Sequence, residues 1–253
     1  MWRANSPSLS APASGPGCVR AASRLTRQSS PPGDDNPGGA DAGGRKPRRA
    51  VRPKDAASLI LWREGSKGVE ILMGRRHRDM RFMPGVLVFP GGRVDLADYR
   101  ARTVSDLPAT TRRMLEIGAR PSQAKALAVC ALRELEEEAG LVLGQMVGGR
   151  LHPDLAPLHY LTRAITPADR PMRFHARFLV GEAKHATGEI RGSGELEEVR
   201  FFAVSELPAQ PLAKITAMIL EEFHAWLALS PQARARRKLI SIQGRDNRLP
   251  ERG

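Results

Sequence analysis

The sequence predicts an α+β fold, and three observations carry that prediction. Short apolar runs bounded by Gly, Pro and Ser recur through the middle of the chain. Two longer segments keep a helical period, and the two kinds mix without the regular strand–helix alternation of a doubly wound sheet. Ala57-Ser58-Leu59-Ile60-Leu61-Trp62-Arg63 reads as a strand, Gly65-Ser66-Lys67-Gly68 as a turn and Val69-Glu70-Ile71-Leu72-Met73 as the returning strand of a hairpin. Val86-Leu87-Val88-Phe89 is a short buried strand ended by Pro90-Gly91-Gly92, where the glycines permit a sharp turn or a close ligand approach. A weak helical stretch surrounds Ala109–Ile117.

A stronger helix starts near Pro121-Ser122 and runs to Ala139, with Gly140 placed to end it. Its apolar side is Ala128, Leu132, Leu135 and Ala139, so burying that stripe leaves the acids of the same helix facing a cleft. Residues 159–164, 173–180 and 199–204 read as further strands. Leu212–Leu229 reads as an amphipathic helix closed by Ser230-Pro231.

Charge divides the chain into three. The net +13 invites a nucleic-acid partner, but residues 1–54 hold ten Lys/Arg against three Asp/Glu and residues 232–253 hold seven against two. The middle is close to neutral, so the folded part does not point to nucleic acid; an RNA-processing role would rest on the ends alone. The expected organisation is a disordered basic tail over 1–54, a folded domain over 55–230 and a basic C-terminal tail over 231–253. Arg3, Arg20, Arg24 and Arg27 without an acid in residues 1–33 are loosely transit-peptide-like, and five prolines there oppose the amphipathic helix of such a segment. No apolar run is long enough for a membrane span. The pair Cys18 and Cys130 builds no disulfide framework. A cytoplasmic setting follows, with an organellar one as the alternative.

The chemistry lies in Arg133-Glu134-Leu135-Glu136-Glu137-Glu138-Ala139-Gly140-Leu141. Glu134, Glu137 and Glu138 fall at i, i+3, i+4 and share one helix face, while Glu136 points away. Like charges at that spacing destabilise a helix unless a cation gathers them, so the segment reads as half of a metal site. Gly92-Arg93-Val94-Asp95 followed by this run resembles the Nudix hydrolase signature, and Phe89-Pro90-Gly91-Gly92 just after a strand supplies the context. The resemblance spans roughly Ala56 to Leu229 and implies the Nudix fold, a mixed β-sheet sandwiched between α-helices.

That resemblance implies a hydrolase acting on phosphoric anhydrides, cleaving the diphosphate link of a nucleoside diphosphate joined to another moiety. Glu134, Glu137 and Glu138 would bind Mg²⁺ or Mn²⁺ with the Gly92 carbonyl, and Arg133 would orient Glu137. Glu134 or Glu195 would be the general base. Arg75 and Arg76 read as phosphate-gripping residues, and Asp95 as a further residue on the substrate side. The two halves of the signature are separated by an insertion at about 96–120, and Lys125 stands where the signature has a further Glu. Asp95, Asp98 or Glu116 could replace that acid. The split after Phe-Pro-Gly-Gly resembles the branch that contains the peroxisomal coenzyme A diphosphatase, which suggests coenzyme A or acyl-CoA as substrate, with ADP-ribose, NADH and nucleotide sugars left open. A Nudix-fold module that binds a nucleotide without cleaving it is the alternative. The partner is then a small-molecule nucleoside diphosphate derivative, with no membrane, and a homodimer stays open.

Overall fold

The computed structural model describes residues 51–80, 83–245 and 247–251; the expected N-terminal tail, with its transit-like segment and Cys18, lies outside them apart from its last few residues. The chain from Arg48 onward is one compact unit. The predicted hairpin is β1 (Lys54–Gly65) and β2 (Gly68–Arg76), antiparallel with Gly65 opposite Gly68. Two short strands follow, β3 (Leu87–Val88) on β2 and β4 (Gly91–Arg93) on β1. A 3₁₀ turn at Asp98–Arg100 and helix α1 (Ala109–Glu116) lead into α2 (Pro121–Ala139). Then come β5 (Leu141–Val142), β6 (Gly144–Val147), β7 (Arg150–Pro153), β8 (His159–Ile165), β9 (Phe174–Glu182), β10 (Thr187–Gly188) and β11 (Leu196–Ala203). Helices α3 (Lys214–Leu227) and α4 (Pro231–Arg236) and strands β12 (Ile240–Gln243) and β13 (Asn247–Pro250) complete the chain.

The main sheet runs β11-β2-β1-β9-β8-β12-β13, and it is mixed because β1 lies parallel to β9 and β8 parallel to β12. Alternation along a strand sends successive side chains to opposite faces. Leu59, Leu61 and Leu72 therefore join α1 and α2 in one core, while Ile60, Ile71 and Met73 join α3 through Met218, Ile219, Phe223 and Trp226 in the other. Helices thus cover both faces of the sheet, as expected of the α+β sandwich.

Three expectations are corrected. Residues 231–250 are not a tail: Ser230 caps α4 by accepting the Ala233 N–H (3.2 Å), and β12 extends the sheet. Leu239 and Ile242 are buried, and Glu251 pairs with Arg163 of β8 (2.8 Å). The short Leu239-Ile240-Ser241-Ile242 run is hidden in composition by the arginines around it. Second, Ser230-Pro231 opens a helix rather than closing one; Pro fits a first helical position because its missing N–H is unpaired there anyway. Third, Gly91-Gly92 is no turn but the start of β4, with Gly92 opposite Ala57.

The β1–β9 junction hides a pH-sensitive group. His175 is mostly enclosed and its Nε2 stands 3.2 Å from an Arg163 guanidinium nitrogen. Burial, then the charges of Arg177 and Arg163, press its pKa down from the ordinary 6.5 to about 4, against a smaller pull from Asp55. The folded state binds the proton less well than the unfolded chain, so this contribution is complete above pH 6.5 and is lost as pH falls toward 4. At roughly 1.4 kcal/mol per unit, His175 takes about 3 kcal/mol from stability across that window. His175→Gln is expected to flatten the fall in melting temperature between pH 6.5 and 4; an unchanged slope would refute the assignment.

Candidate active site

Helix α2 builds the site because its ends are fixed. Pro121 occupies a first-turn position, and the Arg120 N–H donates to Gln123 Oε1 (3.4 Å). Gly140 ends the helix at φ +73°, where only a residue without Cβ sits easily, and its N–H returns to Glu136 O (2.9 Å). The helix is buried nearly all round between Ala124 and Leu132 because residues 98–116 pack over its second side. The signature carboxylates are therefore not simply turned to an open cleft. Glu138 is buried at 5% exposure, Glu134 is mostly enclosed and Glu137 is exposed.

Strand β4 meets this face. The Gly91 N–H donates to Glu138 Oε2 (2.9 Å), and the Gly92 α-carbon lies directly against the Glu134 carboxylate. A side chain at Gly92 would collide with that carboxylate, and one at Gly91 with Ser58 Oγ and the Ala57 carbonyl. The glycines thus let the strand approach the helix carboxylates closely. Gly92→Ala is expected to push Glu134 aside and lower turnover with little loss of stability, because a carboxylate can swing away. Gly91→Ala meets backbone and should cost more in melting temperature. Thermal unfolding and kinetics of the two variants decide this; equal behaviour would contradict it. The Gly92 carbonyl, a candidate metal ligand, accepts the Cys130 thiol (3.6 Å), and burial, helped by Asp98, pushes that thiol well above its usual pKa.

Arg133 organises the acids. Its Nη1 reaches Glu134 Oε1 (2.8 Å) and Glu137 Oε2 (2.9 Å), the latter the anticipated i, i+4 contact. Its Nε and Nη2 reach the two oxygens of Asp98 (2.9 and 3.2 Å), and Nη2 also donates to Arg93 O (3.0 Å). Asp98 is 2% exposed and holds the guanidinium from behind, so it does not stand in for a missing metal ligand. Nothing in local spacing signals this contact between residues 98 and 133; only the fold brings them together.

The remaining candidates separate. Burial raises the Glu134 pKa, opposed by Arg133 and reinforced by Glu137 and Glu195. Burial also raises Glu138 to about 8, opposed by the Gly91 hydrogen bond and reinforced by Glu134 and Glu195. Glu195 thus stands within electrostatic reach of both acids. Its neighbours are engaged elsewhere, Glu197 with His77 (3.1 Å) and Glu198 with Arg75 (2.8 Å). Arg76 lies on the acids' side, where its charge opposes the Glu138 shift, and its Nε is buried without a hydrogen-bond partner. Arg75 is corrected: period 2 sends it to the other face, where it is tied to Glu198, Gln210 (3.1 Å) and the Gly85 carbonyl. Asp95 is exposed, and its N–H is held by Asp98 (2.8 Å). Lys125 and Glu116 line a separate hollow with Asp106 and Arg112, half a helical turn round from Glu134, so Glu116 cannot replace the absent acid.

Among the described residues, no three acidic, His or Cys side chains are grouped as a ready metal site. Arg133 sits between Glu134 and Glu137, which keeps them from converging. The donor set nevertheless suits a hard divalent cation: Glu137 raises the pKa of the enclosed Glu134, Glu134 raises that of the enclosed Glu138, and positive charge placed among them would relieve both.

The site thus lies in a mixed sheet between helices, with carboxylates of one helix packed on a glycine strand. The chain belongs to the Nudix family: the NUDIX domain model matches residues 52–226. A NUDIX hydrolase from Alicyclobacillus acidocaldarius is similar at 25% identity over 68% of this chain and 90% of that one, with a TM-score of 0.51. A MutT NUDIX hydrolase from Burkholderia pseudomallei shares 22% identity over 68% and 98%, with a TM-score of 0.43. The NUDIX domain of Shewanella oneidensis NrtR, solved with ADP ribose, shares 12% over 74% and 96%, with a TM-score of 0.48. Membership supports hydrolysis of the diphosphate in nucleoside diphosphate derivatives, and Nudix hydrolases generally use divalent metals such as Mg²⁺. Among the described residues no helix is long and apolar enough to cross a membrane.

Proposed function

We propose that the chain is a Mg²⁺- or Mn²⁺-dependent diphosphatase that cleaves a nucleoside diphosphate derivative, with coenzyme A or acyl-CoA as the substrate class. The observation that carries the reading is the single face on which Arg133, Glu134, Glu137 and Glu138 meet Gly91 and Gly92. Glu134, Glu137, Glu138 and the Gly92 carbonyl would hold the cation, which when bound polarises a phosphoryl oxygen and acidifies the attacking water. Arg133 sets the direction of two of those carboxylates. Glu195, just before β11, has no ion pair among the described residues and lies within electrostatic reach of the acids; it is the base that would take the water's proton, with Glu134 the alternative. Arg76 approaches from β2 to meet a phosphate oxygen.

Coenzyme A is supported by the split of the signature after Phe89-Pro90-Gly91-Gly92, with the intervening stretch at about 96–120 read as an insertion. The test is a substrate screen with coenzyme A, acyl-CoA, ADP-ribose, NADH, dinucleoside polyphosphates and nucleotide sugars. Turnover with Mg²⁺ or Mn²⁺ that EDTA abolishes and Glu137→Gln removes is expected. Nucleotide binding without turnover on any of them would favour the non-catalytic module instead.

A further inference from the structure

A cleft of about 880 Å³ opens beside the carboxylates, between the Ala97–Arg102 segment, α2 and the β6–β7 hairpin. Its size is that of a small-molecule site, and Arg133 and Glu137 belong to its wall, so it adjoins the proposed catalytic face. Its charges are unbalanced. The acids in its wall are already paired: Asp98 and Glu137 with Arg133, and Glu136 with Arg191 (3.2 Å). Three arginines on its rim are different. Arg100, Arg102 and Arg150 are all exposed, and among the described residues none has a carboxylate partner. They reach the rim from two separate parts of the chain, the segment ahead of α1 and strand β7. Guanidinium groups gathered from two sides of one cleft suit a compact, multiply charged anion, and the planar fork matches phosphate oxygens.

We propose that this cleft seats the part of the substrate beyond the scissile diphosphate, and that Arg100, Arg102 and Arg150 recognise a further phosphate monoester carried there. The assignment of what the cleft seats rests on the diphosphatase reading above. It explains why a near-neutral domain keeps three unpaired cations beside a site that already crowds its carboxylates. The extra phosphate, not the base or the acyl group, is then the feature by which substrates are sorted.

The test compares matched pairs that differ by one phosphate, NADPH with NADH and coenzyme A with dephospho-coenzyme A, by steady-state kinetics with Mg²⁺. In at least one pair the phosphorylated member should show kcat/KM about tenfold higher or more, mainly through KM, with the advantage shrinking at high salt. Arg100→Ala/Arg102→Ala/Arg150→Ala should bring the ratio to about one. Calorimetric binding of adenosine 2′,5′- and 3′,5′-bisphosphate against AMP, on the wild-type protein and the triple variant, gives a readout that needs no turnover. Equal kcat/KM within both pairs, equal binding of all three probes, or a preference that survives the triple substitution would overturn the proposal. Absence of turnover on every substrate, with arginine-dependent bisphosphate binding intact, would instead overturn the diphosphatase reading and leave the phosphate site standing.

Discussion

Glu138→Gln is expected to lower kcat/KM by about a thousandfold while making the metal-free protein more stable. The two effects have one origin. Glu138 is enclosed, and burial together with Glu134 and Glu195 lifts its pKa from the ordinary 4.5 to about 8. The folded state therefore holds the proton more tightly than the unfolded chain does. Stability from this group is complete below pH 4.5 and is lost as pH rises through 8, at roughly 1.4 kcal/mol per unit. Glutamine keeps an oxygen to accept the Gly91 N–H and never ionises. The melting temperatures of variant and wild type in EDTA should thus coincide near pH 4.5 and separate steadily toward pH 8, with the variant higher. An active variant would remove Glu138 from the catalytic machinery. A constant gap in melting temperature would show that the carboxylate is not held at a cost.

That trade is a familiar one, in which an active site keeps charges close together at the expense of stability. It also marks what the sequence made legible. The i, i+3, i+4 spacing of Glu134, Glu137 and Glu138 put them on one face, and Gly140 ended the helix where expected, because both follow from local helical geometry. The hairpin of β1 and β2 and the strands β8, β9 and β11 were visible through their apolar runs. What stayed hidden depends on contacts between distant residues. The burial of Glu138 comes from β4 lying across its carboxylate, and β4 itself reads as a turn until Ala57 pairs with Gly92. Arg75 and Arg76 look equivalent in sequence, but the strand sends them to opposite faces. The C-terminal strand β12 is short and bordered by arginines, so composition hid a segment that the sheet uses.

Asp98 is the sharpest case of a residue whose role only the fold defines. Both its oxygens are taken by Arg133 (2.9 and 3.2 Å), and one also accepts the Asp95 N–H (2.8 Å). Arg133 then spans Glu134 and Glu137, so Asp98 touches no carboxylate of the site yet fixes the group that aims two of them. Asp98→Asn keeps the size and one acceptor but removes the charge opposite a partly buried guanidinium. Freed from Asp98, Arg133 keeps Glu134 and Glu137 as its carboxylate partners, and its position relaxes toward them. Loss of such an orienting partner costs activity about 10–100-fold, and breaking a buried pair costs up to about 3–5 kcal/mol, less here because Arg133 keeps two other acids. A stability loss alone would fit a merely structural residue, so the decisive measurement is a double-mutant cycle with Arg133→Lys. If Asp98 acts through Arg133, the second substitution adds little to the first in kcat/KM. Additive losses would mean that Asp98 supports the site by some route other than Arg133.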